Sequence, residues 1–165
     1  MVFEVLELKD RVGSEIRTDA ASLLTPEVAG KVRRLPVERG VLVFKQLMLT
    51  TEQQLTLSRL MGSLREEGQQ GLLKITLDKK INARADYLKG SFLWHIDGTH
   101  DDVPPFASLL TGVTLSDTGG QTEFANTYAA YEELPQETKD RIAGLKVVHG
   151  FETSMRRAGV EPTED

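Results

Sequence analysis

At 165 residues the chain has the length of one domain with room for a hydrophobic core, and it is read as a single domain over residues 1–165. Hydrophobic residues at 39% and charged residues at 27% exclude a disordered or membrane-spanning chain. A net charge of −5 without basic runs argues against nucleic acid as a partner, and the absence of cysteine excludes disulfides, zinc–thiolate sites and iron–sulfur clusters.

The first ten residues carry no basic segment followed by an apolar run, which predicts no signal peptide and a cytoplasmic location. Val2 to Leu8 reads as an opening strand, closed by the turn-like Asp10-Arg11-Val12-Gly13. Thr25-Pro26-Glu27 is a helix start, with a hydroxyl to cap, a proline at the first helical position and an acid near the positive helix end. The proline at position 36 predicts that this helix stops near Leu35, with a kinked continuation to Arg39 as the alternative. Val41-Leu42-Val43-Phe44 is a continuous apolar run of buried-strand length.

Thr50-x-x-Gln53 is a capping-box signature, and Leu57, Leu60, Met61 and Leu64 then fall on one helical face. Leu73, Ile75 and Leu77 alternate, predicting a strand over 72–77, and the charged stretch 78–89 predicts a long loop. Further strands are expected at 107–115, 121–124 and 145–149. Between the last two, Thr127 can cap a helix through Leu134, and Pro135 starts another as its first helical residue, with Gly144 ending it. The last fifteen residues have little apolar pattern. Roughly six strands joined by turns favour a mainly β fold with flanking helices (α+β), built on a twisted antiparallel sheet or barrel.

The chemistry concentrates in Ser91-Phe92-Leu93-Trp94-His95-Ile96-Asp97-Gly98-Thr99-His100. On extended backbone, positions i and i+2 point to the same side. His95 and Asp97 can therefore reach one point about 2 Å from each, where a divalent metal sits, with Trp94 and Ile96 facing the core behind them. Taken alone, the pattern fits a surface histidine beside an aspartate as well as two-thirds of a 2-His-1-carboxylate iron site.

Trp94-His95-x-Asp97, Pro104-Pro105, Gly119-Gly120-Gln121-Thr122 and Ala129-Ala130-Tyr131-Glu132, in this order and at these spacings, resemble the taurine/2-oxoglutarate dioxygenase (TauD/TfdA-like) family. The resemblance runs from about Arg39 to about Phe151. It implies a double-stranded β-helix (jelly roll) that holds one Fe(II) and uses 2-oxoglutarate and O₂ to hydroxylate a small organic substrate, releasing succinate and CO₂. His95 and Asp97 fall on the first two iron ligands, and Thr122 on the threonine whose hydroxyl holds a 2-oxoglutarate carboxylate. The family's taurine users carry a His and a Tyr after the capped helix, and residues 62–70 here have neither. The resemblance therefore implies another substrate, in a pocket lined by Ser91, Gly98, His100 and Met155.

The family's third ligand, a distal histidine, and its arginines for 2-oxoglutarate and substrate fall beyond the equivalent of Asp165. His149 matches a strand-end position instead. The expectation is thus a jelly roll incomplete at its C-terminal end, the N-terminal part of a dioxygenase. The alternative is a metal-binding pseudoenzyme or inactive fragment with an interaction role. Beyond the small-molecule substrate, the partner expected at the open sheet edges is a second copy of the chain or a further C-terminal segment.

Overall fold

The computed structural model describes residues 3–65, 68, 71–82, 85–88, 92–99, 101–157, 159 and 161. In chain order the elements among them are β1 (Glu4–Glu7), β2 (Ser14–Arg17), α1 (Ala20–Leu23), α2 (Pro26–Arg39), β3 (Leu42–Val43), α3 (Thr51–Met61), α4 (Ala85–Leu88), α5 (Thr127–Glu132), α6 (Gln136–Ile142) and α7 (Phe151–Arg157). They fall into two compact units, Met1–Arg65 with Leu109–Gly144, and Glu66–Ser108 with Leu145–Asp165. None of these helices is long and apolar enough to cross a membrane.

The first unit is built on a three-stranded sheet in the order β1-β2-β3. β1 and β2 form an antiparallel hairpin with Val5 opposite Ile16. Gly13 sits at φ +84°, a conformation other residues avoid, and its carbonyl accepts from the Leu8 amide at 3.1 Å to close the turn. β2 and β3 run parallel, so the chain needs a crossover between them, and α1 with α2 supplies it. As the central strand β2 buries Ser14, Glu15 and Ile16.

Local chemistry explains the helix starts. The Asp19 carboxylate accepts from the Ser22 amide at 2.8 Å, and the Thr25 hydroxyl caps α2 ahead of Pro26. At α3, the Gln53 amide donates to the Thr50 hydroxyl at 3.2 Å and the Gln53 side chain accepts from the Thr50 amide at 2.9 Å, completing the capping box. Leu23, Val28, Ala29, Val32, Leu57 and Met61 form the buried core of this unit, with Phe3, Leu42, Phe44, Leu60 and Leu109 packed against it. The Gln54 side chain reaches the 109–111 stretch, donating to the Leu109 carbonyl at 3.0 Å and accepting from the Thr111 hydroxyl at 2.7 Å.

Several expected elements differ. α2 does not end before Pro36 but continues to Arg39. A proline removes one helical hydrogen bond, and that local cost is outweighed by what holds the helix end. The Arg39 guanidinium donates to the Ser14 hydroxyl and to the carbonyls of Lys9, Asp10 and Gly13, pinning the last turn of α2 to the hairpin. Asn126, not Thr127, caps α5, its side chain accepting from the amides of Tyr128 and Ala129. Pro135 is the capping residue of α6 rather than its first helical residue. A short helix, α4, interrupts the expected 78–89 loop, and α7 occupies part of the final stretch.

The largest correction concerns strands. Residues 72–77, 107–115, 121–124 and 145–149 are not in strands, so among the described residues the β content is the small sheet of the first unit. A strand exists only through hydrogen bonds to a neighbour, and the apolar pattern of these segments finds no ladder among the described residues. Ile75, Val113, Phe124 and Val148 are accordingly exposed.

The sheet also carries a pH dependence. Glu15 in β2 lies between Lys45 Nζ at 2.6 Å and Arg17 Nε at 2.9 Å. The hydrogen bonds from Lys45 and then Arg17 hold its carboxyl below the usual range, while burial opposes them. Asp19 is lowered chiefly by the Ser22 hydroxyl, and Glu27 by Lys31. Carboxyls lowered in the folded state contribute stability that is fully present above their unfolded pKa of about 4 and is lost as pH falls through the lower folded values. Urea midpoints should therefore be flat from pH 7 to about 5 and fall steadily below about 4, with the fall shallower in Glu15→Gln. A midpoint that rises on acidification would contradict these pairings.

Candidate metal centre

The second unit holds the His-x-Asp pair. Residues 94–96 have no regular secondary structure among the described residues, and 97–99 form a turn. The two side chains nevertheless face each other. His95 Nε2 lies 3.3 Å from Asp97 Oδ1. Both side chains are about half exposed, so a ligand between them has access to solvent.

A second contact sets the imidazole. His95 Nδ1 is 2.7 Å from the Leu93 carbonyl oxygen. A carbonyl only accepts, so Nδ1 carries the proton and donates. In the neutral ring, Nε2 then turns a lone pair toward an anionic carboxylate oxygen. Two acceptors facing each other at this distance repel unless a cation lies between them, and the cation is either a proton on Nε2 or a metal ion. Bonds of about 2.1 Å from each atom to a shared metal, across the 3.3 Å separation, enclose roughly 100°. That lies between the octahedral right angle and the tetrahedral angle, so these donors fit a divalent metal. No third His, Cys, Asp or Glu completes a metal-binding group among the described residues.

The turn after Asp97 depends on a glycine. Gly98 adopts φ +65°, and a Cβ there would meet Pro105 Cδ at 2.4 Å. The Asp101 amide donates to the Gly98 carbonyl at 3.0 Å. The chain thus folds back on itself over 97–105, and Ser108 arrives beside the carboxylate. Its hydroxyl donates to Asp97 Oδ2 at 2.8 Å. The sequence holds only a faint signal for this serine, one polar residue inside the apolar run Phe106-Ala107-Ser108-Leu109-Leu110.

The other expected site residues are distributed as follows. Gly98 packs its backbone against Pro105. Met155 is half-buried in α7. Ser91 and His100 lie outside the described residues. Thr122 belongs to the first unit, in an exposed stretch without regular structure. Trp94 and Ile96, expected in the core behind the pair, are 70% and 63% exposed. The reason is that no strand pairs with this segment among the described residues, so there is no sheet face for them to pack under.

Comparison with known proteins points to one group. The profile of the Taurine catabolism dioxygenase TauD, TfdA family matches residues 4–165. The (S)-phenoxypropionate/alpha-ketoglutarate-dioxygenase of Sphingobium herbicidovorans is 30% identical over 74% of this chain and 45% of that protein. The alpha-ketoglutarate-dependent 2,4-dichlorophenoxyacetate dioxygenase of Cupriavidus pinatubonensis is 30% identical over 88% of this chain and 53% of that protein. The chain thus spans about half the length of these curated relatives. A crystal structure of AAD-2 in complex with Mn(II) and N-oxalylglycine superposes with a TM-score of 0.76 at 26% identity, covering 99% of this chain and 62% of that one.

Proposed function

The chain belongs to the Taurine catabolism dioxygenase TauD, TfdA family, and from that premise we propose that it works in an Fe(II)- and 2-oxoglutarate-dependent dioxygenase hydroxylating a small organic acid. The observation that carries the proposal is the facing pair of His95 Nε2 and Asp97 Oδ1, 3.3 Å apart, with the opposite ring nitrogen tied to the Leu93 carbonyl. When bound, Fe(II) together with 2-oxoglutarate and O₂ supplies oxidative decarboxylation to succinate and CO₂ and the oxidation of a substrate C–H bond.

Within that chemistry, His95 and Asp97 would hold the metal, and Thr122 would donate its hydroxyl to a carboxylate of 2-oxoglutarate. Ser91, Gly98, His100 and Met155 line the substrate pocket. Residues 1–165 contribute to one jelly-roll domain, a reading supported by the likeness to AAD-2. We assign the protein to the cytoplasm, where 2-oxoglutarate is a common metabolite.

The substrate we propose is an aryloxyalkanoic acid or another organic acid bulkier than taurine. Two relatives are named for such acids, and residues 62–70 lack the His and Tyr with which taurine users hold the sulfonate. A site built to hydrogen-bond one head group strongly rejects molecules that lack it, and a site without those groups has no such preference. Succinate release by the full-length protein with Fe(II) and 2-oxoglutarate tests this. Phenoxypropionate or 2,4-dichlorophenoxyacetate should drive it at least about tenfold faster than taurine, a difference of about 1.4 kcal/mol. Faster release with taurine would overturn the substrate assignment.

Thr122→Val keeps the side-chain shape and removes the hydroxyl. A hydrogen bond to a charged group contributes about 1.5–3 kcal/mol. The Kd for 2-oxoglutarate should rise about tenfold or more, with metal affinity unchanged. An unaltered Kd would return Thr122 to an ordinary threonine.

A further inference from the structure

Ser108 is not among the residues that the His-x-Asp pattern implies, yet it makes a direct hydrogen bond to that pair. Its hydroxyl donates to Asp97 Oδ2 at 2.8 Å, from eleven residues downstream. The other carboxylate oxygen, Oδ1, is the one facing His95 Nε2. The contact is not an accident of sequence proximity. It requires the fold-back at Gly98, where positive φ and the close approach of Pro105 leave no room for a side chain.

We propose that Ser108 is a positioning residue for the metal centre, one that holds Asp97 as a one-oxygen ligand. This inference rests on the metal reading of His95 and Asp97. A carboxylate with both oxygens free can rotate about its Cβ–Cγ bond and offer either oxygen, or both, to a metal. A donor fixed on Oδ2 engages that oxygen and leaves Oδ1 aimed at the point shared with Nε2. The Leu93 carbonyl performs the matching task on the imidazole by fixing its tautomer. Each of the two ligands is thus oriented by one hydrogen bond from this unit.

The size of the effect follows from exposure. Ser108 and Asp97 are both exposed, so water can replace the lost hydrogen bond when the hydroxyl is removed. What water cannot replace is direction. Removing an outer partner of a metal ligand typically lowers affinity by about 10–100-fold, and an exposed partner belongs at the low end of that range.

The test uses Co(II) alone as probe, titrated anaerobically into the full-length protein and followed by visible absorption. Ser108→Ala should bind Co(II) about tenfold more weakly, with a changed d–d spectrum as Asp97 moves from one-oxygen to two-oxygen ligation. Ser108→Thr, which keeps the hydroxyl, should restore both affinity and spectrum. Far-UV circular dichroism of each variant confirms that the fold is retained, and the spectrum reads only metal-loaded folded protein. If His95→Ala and Asp97→Ala abolish binding while Ser108→Ala matches wild type in affinity and spectrum, the positioning role is wrong and the metal reading stands. If His95→Ala and Asp97→Ala also bind as wild type does, the metal reading itself fails and Ser108 falls with it.

Discussion

Asp97→Ala should lower Co(II) or Fe(II) affinity at least about a hundredfold, corresponding to about 2.7 kcal/mol or more. The substitution removes the single anionic donor of the pair and leaves His95 Nε2 as a lone neutral ligand facing water. Asp97→Asn keeps the shape and an oxygen donor but loses the charge, so it should fall between alanine and wild type. His95→Ala should be as damaging as Asp97→Ala, because the imidazole is already oriented by its 2.7 Å contact with the Leu93 carbonyl and no other described residue completes a metal group there. Isothermal titration under anaerobic conditions measures all three. Wild-type affinity in His95→Ala or Asp97→Ala would mean that their facing geometry is an ordinary proton-bridged contact.

The second large effect is on stability. Leu23 is fully buried, and Leu23→Ala should cost about 2–5 kcal/mol through lost burial and the cavity left behind. The position is sensitive because α1 is only four residues long, far below the length at which a helix is stable in water. Its placement depends on the Asp19 cap and on Leu23 packing into the cluster with Val28, Val32, Leu57 and Met61. A volume-conserving Leu23→Met should cost less than about 1.5 kcal/mol. Val37→Ala, on the exposed side of α2, should stay within about 0.5 kcal/mol. Urea denaturation separates these cases, and equal midpoints for Leu23→Ala and Val37→Ala would contradict the assignment of the core.

The features read correctly from the sequence are those whose physics is local. The capping box of Thr50 and Gln53 closes within one turn, and so does the Thr25 cap ahead of Pro26. The i to i+2 relation of His95 and Asp97 is likewise local, and it holds although the surrounding segment is not a strand. The same locality makes the stretch from Trp94 to Asp97 readable as a candidate site before any fold is known.

The misreadings arise where distant residues decide. The expected end of α2 at Leu35 gave proline its local cost, but Arg39 and its hydrogen bonds to the hairpin lie outside any window on that helix. β2, with the sequence Ser-Glu-Ile-Arg, has no clear apolar alternation; it is buried because β1 and β3 flank it and because Lys45 and Arg17 neutralise Glu15. Residues 72–77 and 145–149 show the reverse, an apolar pattern suited to strands without a ladder among the described residues. Ser108 left only a faint trace in the sequence for a third reason, since its partner is brought to it by a turn whose key residue is a glycine.

The claim that His95 and Asp97 form the metal end of a 2-oxoglutarate site is tested most directly by binding of the keto acid itself. The full-length protein should be freed of metal by chelation and titrated with 2-oxoglutarate under nitrogen, with and without added Fe(II). The account predicts tight binding only when Fe(II) is present, displacement by N-oxalylglycine, and loss of the metal-dependent component in Asp97→Ala. Equal 2-oxoglutarate affinity with and without Fe(II), unchanged by Asp97→Ala, would contradict it.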